Sequence, residues 1–222
     1  MENFRVELKK SHFEVGNLSQ VTFFSGINGS GKTEIIEALY KKLLFETQYN
    51  VDYVGNDGIG EVNNIHMKLY HVLLAFKERY KGVINSNPKK IERITSIING
   101  LFAGSGRSIS KFDSKITFQQ DGEEVELNDL STGQKRLMII LLTVILQNEK
   151  PSILLLDEPE TSLHITTQRA LVRTILELNP NVQLFIATNS PSIARMNWYE
   201  NKSVNCGWYD KIAVWDGIVE DF

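Results

Sequence analysis

Leu130-Ser131-Thr132-Gly133-Gln134 is by itself an ordinary run of small polar residues, and its neighbours along the chain give it weight. Upstream, Gly26-Ile27-Asn28-Gly29-Ser30-Gly31-Lys32-Thr33 fits the pattern G-x-x-x-x-G-K-[ST] without a gap. Downstream, Ile153-Leu154-Leu155-Leu156-Asp157-Glu158 is an apolar run closed by two acids. The upstream loop has the context that a phosphate cradle requires. The apolar run Val21-Thr22-Phe23-Phe24 feeds into it, and Ile35, Ile36, Leu39, Leu43 and Leu44 follow at helical spacing. Gly26, Gly29 and Gly31 let backbone N–H groups turn inward toward phosphate oxygens, with Asn28 and Ser30 in the same loop. Lys32 brings a positive charge to the β- and γ-phosphates, and the Thr33 hydroxyl suits Mg²⁺. The helix that starts there offers its positive dipole end to an anion.

The two acids stand where α/β proteins place ligands, at the end of a buried strand. Asp157 suits Mg²⁺, directly or through water. Glu158 is placed to polarise an attacking water, a general-base role worth roughly 10²–10⁴ in rate. Ser131 is a good cap for the helix that follows, because its hydroxyl accepts from free backbone N–H groups. That helix, to about Asn148, is apolar on most sides, and Lys150-Pro151 ends it.

The rest of the chain reads as alternating strands and helices, hence a mostly parallel α/β sheet. Residues 4 to 24 read as two strands with a turn near Gly16-Asn17. Val51 to Val54 reads as a strand running into a polar loop at Gly55 to Gly60. Ile65, Leu69, Val72, Leu73, Phe76 and Tyr80 keep helical spacing. Ile91, Ile94, Ile97, Ile98 and Leu101 do so again after the break at Asn87-Pro88. Residues 61–102 therefore read as a helical insert within one domain spanning 1–222. Ile116-Thr117-Phe118 and Val125-Glu126-Leu127 flank Asp121-Gly122, a hairpin signal and an antiparallel part of the fold. Gln168 to Leu178 reads as a helix, Val182 to Ala187 as a buried strand, and Lys211 to Trp215 as a last strand.

Composition narrows the function classes. The chain has 222 residues, a net charge of −3 and one cysteine, Cys206. The acidic balance argues against a strongly basic nucleic-acid binder. A single cysteine forms no internal disulfide and fits a reducing cytoplasm. No apolar run approaches the roughly 20 residues of a membrane span, so no membrane insertion is expected. The first residues, Met1 to Arg5, lack the apolar core of a signal peptide. The basic cluster Lys89, Lys90 and Arg93, with Arg107 and Lys111 nearby, allows a DNA phosphate contact, but a solvated face is the plainer reading. Lys135 and Arg136 read either as a link from the Ser131 turn to the insert or as surface charge. Trp198, Tyr199, Trp208, Tyr209 and Trp215 read as a core or partner-facing patch rather than a base-stacking platform. His66 and His71, five apart on a helix, turn away from one another and give no metal pattern. His164 reads as either partner-facing or helix-capping.

Together these segments resemble the ATP-binding-cassette (ABC) superfamily of P-loop NTPases. Gly26 to Thr33 resembles its Walker A motif, Leu130 to Gln134 its Leu-Ser-Gly-Gly-Gln signature, and Ile153 to Glu158 its Walker B motif with a catalytic glutamate. Glu160-Thr161-Ser162-Leu163-His164 occupies the place of the D-loop. Transporter cassettes usually read Asp-Glu-Pro-Thr-Ser-Ala-Leu-Asp here. That departure, with Thr188-Asn189-Ser190-Pro191, is similar to the soluble OLD/RecF/SMC-like (AAA_21-type) branch, which works in DNA repair, chromosome maintenance and anti-phage defence. The resemblance implies an ATPase that binds ATP and Mg²⁺ and forms a head-to-tail homodimer around the nucleotide. Ser131, Gly133 and Gln134 would then act on the nucleotide of the opposite subunit. No nuclease, Toprim or coiled-coil segment is read in the sequence, so the output function is expected on a separate effector chain, a nuclease or toxin. The competing readings are the nucleotide-binding subunit of a transporter and a repair ATPase acting on DNA.

Two departures from the pattern matter. Asn189 stands where the superfamily commonly has a histidine facing the γ-phosphate. Asn donates a hydrogen bond but carries no charge and shuttles no proton, so slow hydrolysis is expected. No clear glutamine loop is present; Gln48 and the Asn56-Asp57 loop are the two alternatives. Thr132 replaces a signature glycine but leaves Ser131 and Gly133 in place.

Overall fold

The computed structural model describes residues 4–7, 12–15, 20–55, 65–79, 87–113, 115–194 and 212–217. Along the chain lie β1 (Phe4–Glu7), β2 (His12–Val15), β3 (Val21–Gly26), α1 (Lys32–Glu46), β4 (Asn50–Val54), α2 (Ile65–Arg79) and α3 (Pro88–Phe102). Then follow β5 (Ser108–Phe112), β6 (Ile116–Gln120), β7 (Glu123–Glu126), α4 (Thr132–Leu146), β8 (Ser152–Asp157), α5 (Ile165–Leu178), β9 (Val182–Thr188), α6 (Pro191–Ala194) and β10 (Ile212–Gly217). The segment 4–24 holds three strands rather than the two expected, because His12–Val15 pairs antiparallel with Phe4–Glu7.

The chain divides into two compact units. One comprises Met1–Ile59, Lys150–Arg173 and Asn181–Phe222; the other comprises Gly60–Glu149 and Thr174–Pro180.

The first unit is built on a five-stranded sheet in the order β10-β3-β9-β8-β4. Pairings β3–β9, β9–β8 and β8–β4 are parallel, and β10 joins β3 antiparallel. Strands β3, β8 and β9 are nearly continuous apolar runs because a parallel sheet covered on both faces buries both sides of each strand. All six residues of β8 are buried. Helix α1 packs Ile35, Ile36, Leu39 and Leu43 into a cluster with Phe24, Ile153, Leu155, Phe185 and Ala187. The i, i+1, i+4, i+8 spacing read in the sequence is the buried stripe of this helix. Phe24 and Phe185 stack across neighbouring strands at 6.5 Å.

The second unit combines helices with a separate antiparallel sheet, β5-β6-β7. Asp121 and Gly122 both have positive φ, 51° and 88°, which the tight β6–β7 turn requires. Strand β5 was not signalled by the sequence. Its alternation is broken by an irregularity between Ile109 and Lys111. Asn87 caps α3, accepting from Lys90 N, and Pro88 occupies the first turn. Helix α4 is buried on nearly all sides from Gly133 to Ile145. The core here includes Leu69 and Phe76 of α2, with Phe76 edge-on to Phe112 at 5.3 Å and Phe102 tilted against Phe118 at 4.7 Å. No helix among the described residues is long and apolar enough to cross a membrane.

Candidate functional site

Three loops converge in the first unit because their strands are neighbours. Ser25 of β3 lies opposite Thr188 of β9, and Ala187 of β9 lies opposite Asp157 of β8. The glycine loop, the Asp157-Glu158 pair and Asn189 thus leave the carboxyl ends of three adjacent parallel strands, the edge where α/β sheets bind ligands.

The loop after β3 is shaped by its glycines. Gly29 and Gly31 have φ of 78° and 96°, in the left-handed region that a side chain resists. Gly31 is the N-cap of α1 and supplies no side chain to cap it. Lys32 is only 4% exposed, and its Nζ donates to Gly26 O at 2.9 Å and Ile27 O at 3.0 Å. An ammonium has three donors, so one remains for an anion. The Ser30 hydroxyl is buried and has no hydrogen-bond partner among the described residues. Left-handed glycines, an uncapped helix start, a spare ammonium donor and an unpartnered buried hydroxyl fit a bound phosphate chain.

The exposed Thr33 hydroxyl donates to Asp157 Oδ2 at 2.9 Å, and Asp157 is buried. One hydroxyl beside one carboxylate is the donor set Mg²⁺ uses when phosphates and water fill its remaining positions.

Glu158 has φ of 46°, a strained region for a non-glycine residue, and its N–H donates to Ala187 O at 2.8 Å. Asn189 Nδ2 donates to Glu158 Oε1 at 3.2 Å and also to Asn28 Oδ1. Glu160 Oε1 accepts from Asn189 N at 2.6 Å. Gln168 Nε2 donates to Leu163 O at 2.9 Å, and its Oε1 accepts from Ser190 Oγ at 2.6 Å. The structure therefore brings Asn28, Lys32, Thr33, Asp157, Glu158 and Asn189 together. The sequence alone assigns Glu160 and Gln168 no part in this network. The signal available was Glu160 itself, two residues past Glu158.

Ser131, Gly133 and Gln134 lie in the second unit at the start of α4. Ser131 Oγ accepts from Gln134 N at 3.3 Å and Gln134 Oε1 accepts from Ser131 N at 3.1 Å, a reciprocal capping box. Arg107 Nη1 donates to the same Gln134 oxygen, and Arg107 Nε to Gln120 Oε1 at 2.8 Å. Arg107, read from sequence as one of a basic group, is thus tied to the Ser131 turn. Lys135 and Arg136 are buried, at 7% and 8% exposure, which removes the surface-charge reading.

Of the rest of that basic group, Lys89 is exposed, and Lys90, Arg93 and Lys111 have partners. Lys90 meets Asn148 Oδ1 at 2.9 Å and Glu149 at 3.3 Å, Arg93 meets Glu149 at 3.6 Å, and Lys111 meets Asp113 at 3.5 Å. His66 and His71 are exposed on α2. His164 Nδ1 lies 2.9 Å from Thr166 Oγ1 at the start of α5, a helix-capping position. Gln48 is exposed in the loop before β4. The Asn56-Asp57 loop, Cys206, Trp198, Tyr199, Trp208 and Tyr209 lie outside the described residues.

The family described as "AAA domain, putative AbiEii toxin, Type IV TA system" matches residues 61–195. The chain belongs to this family. An uncharacterised protein of Dictyostelium discoideum is 23% identical over 202 residues, which are 81% of this chain and 26% of that protein. The dipeptide transport ATP-binding protein DppD of Caldanaerobacter subterraneus is 27% identical over 191 residues, 79% of this chain and 57% of that protein. The chain thus spans between about a quarter and a little over half of these relatives. Among solved structures, the SMC head domain from Thermotoga maritima superposes with a TM-score of 0.53 at 17% identity, covering 88% of this chain and 92% of that one. The fold is that of the ABC/SMC-type P-loop ATPases.

Proposed function

We propose that this family member is a slow, Mg²⁺-dependent ATPase that works as a regulatory subunit. It closes head-to-tail with a second copy around ATP and controls a separate effector chain. The observation that carries the ATPase reading is the Thr33–Asp157 bond, which ties the phosphate loop to the acidic strand end at 2.9 Å. Lys32, Ser30 and the glycine-loop amides hold the phosphates, and Thr33 with Asp157 holds the metal. Mg²⁺ held there would supply neutralisation of the phosphate charge. Glu158 takes the proton of the attacking water. Asn189 orients Glu158 and donates toward the γ-phosphate, and Ser131, Gly133 and Gln134 serve the nucleotide of the other copy. Asn189 donates to Glu158 Oε1 but carries no charge and shuttles no proton, which supports slow turnover.

The effector step rests on family analogy and on the toxin–antitoxin system named in the family's description. Anti-phage defence in the cytoplasm is the setting we favour, with the whole chain acting as one ATPase domain that carries residues 61–102 as its insert. The similarity to DppD supports a second reading, the nucleotide-binding subunit of a transporter. Neighbouring genes for membrane-spanning proteins would favour transport, and neighbouring genes for a nuclease or toxin would favour defence. A salt-sensitive gain in DNA affinity with ATP would instead point to a repair ATPase.

Glu158→Gln tests the central reading. It should bind ATP, hydrolyse it roughly 10²–10⁴ times more slowly than the unaltered chain, and double in mass by light scattering when ATP is added. Equal mass with and without ATP overturns the dimer. Unchanged hydrolysis overturns the role of Glu158, and many turnovers per second in the unaltered chain overturn the slow-ATPase reading.

A further inference from the structure

Asn189 is exposed and sits at the end of a strand, a place where a side chain ordinarily samples several rotamers. Here its backbone N–H is held at 2.6 Å by Glu160 Oε1. An N–H bond to a carboxylate is among the stronger protein hydrogen bonds, so it fixes the residue's orientation. With the backbone fixed, Asn189 Nδ2 is directed at Asn28 of the phosphate loop and at Glu158. A second tether runs in parallel, from Ser190 Oγ through the Gln168 amide to Leu163 O, with a longer contact from Gln168 Nε2 to Glu160 O at 3.4 Å. The other Glu160 oxygen, Oε2, is buried and has no hydrogen-bond partner among the described residues.

We propose that Glu160 is a positioning residue of the ATPase site, acting through Asn189. It sets the direction of the Asn189 amide that links the phosphate loop to the general base, so rate depends on it and nucleotide affinity does not. This inference rests on the ATPase reading above.

The chemistry of the two oxygens makes the claim specific. Only Oε1 is used, so Glu160→Gln keeps the acceptor that matters and exchanges an unbonded oxygen for an amide. Glu160→Asp keeps the charge but ends one methylene short of Asn189 N. If positioning is the role, Gln rescues and Asp does not; if charge is the role, the order reverses.

The experiment measures kcat, KM and fluorescent-ATP affinity for Glu160→Ala, Glu160→Asp, Glu160→Gln, Asn189→Ala and the double variant Glu160→Ala/Asn189→Ala. Loss of one hydrogen bond to a charged group predicts a kcat lower by about tenfold for Glu160→Ala and Glu160→Asp, with KM and affinity within about twofold. Glu160→Gln should stay within about threefold of the unaltered chain. The double variant should be no slower than Asn189→Ala alone, because the two act in series. Multiplying effects, a failure of Gln to rescue, or lost affinity with unchanged kcat overturns the proposal. If Glu160→Ala does not fold, Glu160→Asp carries the same test. Glu158→Gln, run alongside, separates the two levels of inference. An unaltered chain no faster than Glu158→Gln overturns the ATPase reading and the role of Glu160 with it. A clear Glu158→Gln defect with unchanged kcat in Glu160→Ala overturns the role of Glu160 alone.

Discussion

Two helices of equal length, α1 and α4, begin in opposite ways. The N-cap of α1 is Gly31, left-handed and without a side chain to meet the free N–H groups. The N-cap of α4 is Ser131, whose hydroxyl accepts from Gln134 N while Gln134 closes back on Ser131 N. Each helix start carries roughly half a positive charge from its dipole. At α1 that charge is left for a ligand, whereas at α4 the protein's own side chains have partly answered it. The proposed phosphate site and a structural cap are therefore built from the same backbone groups, and the cap residue decides between them. The Ser131 turn can still serve a phosphate, because a hydroxyl that accepts one bond has a hydrogen left to donate.

The largest test of this contrast removes the charge from the open end. Lys32→Ala deletes a buried ammonium whose Nζ reaches Gly26 O and Ile27 O and has a donor to spare. At ATP about 100-fold above the dissociation constant of the unaltered chain, binding should stabilise that chain by about 2.7 kcal/mol. The variant should lose most of this gain, read as the disappearance of the ATP-induced rise in melting temperature. A full ATP shift in Lys32→Ala would show that the loop after β3 is not the phosphate site.

A smaller effect distinguishes the two serines. Ser131→Ala removes a helix cap and should lower stability by about 1 kcal/mol. For a chain of this length that is about 2–4 °C in melting temperature. Ser30→Ala removes a buried hydroxyl with no partner among the described residues, so the protein alone should be unchanged or slightly firmer. ATP affinity should show the reverse order, weaker for Ser30→Ala and unaffected for Ser131→Ala in the monomer. Equal melting temperatures for the two variants would erase the distinction between open and capped starts.

How much of this was legible follows from what each segment's neighbours in sequence determine. The glycine loop, Asp157 and Glu158 could be read because strand, loop and helix are contiguous, and their apolar spacing is set by burial of the central sheet. The β6–β7 hairpin was legible through Asp121-Gly122, where the turn demands positive φ. His12–Val15 merges in the sequence with the strand before it, because Leu8-Lys9-Lys10-Ser11 holds no Gly, Pro, Asn or Asp to mark a turn. Lys135 and Arg136 left two readings open, since a charge in a sequence does not declare whether its stem is covered. The ties of Glu160 to Asn189 and of Arg107 to Gln134 were beyond reach for another reason. Their partners are 29 and 27 residues apart, joined only by folding.

The smallest effect is the change that salt makes in the contribution of Arg107. Its guanidinium, a charged donor, donates to two amide oxygens, Gln120 Oε1 and Gln134 Oε1, each bond worth about 1.5–3 kcal/mol to stability. It also places a cation beside the positive end of α4, which costs about 0.3–1 kcal/mol. Salt screens the second term and leaves the first largely intact, since the hydrogen bonds are direct contacts and partly buried. Arg107→Met, which keeps the length and loses the donors, should therefore cost less at low ionic strength than at high. Urea unfolding at about 0.05 M and 1 M NaCl reads the difference, expected to be a few tenths of a kcal/mol and at most about 1. A cost that shrinks as salt rises would mean that Arg107 is held by charge rather than by the two amides. The closed start of α4 would then owe its geometry to Ser131 and Gln134 alone.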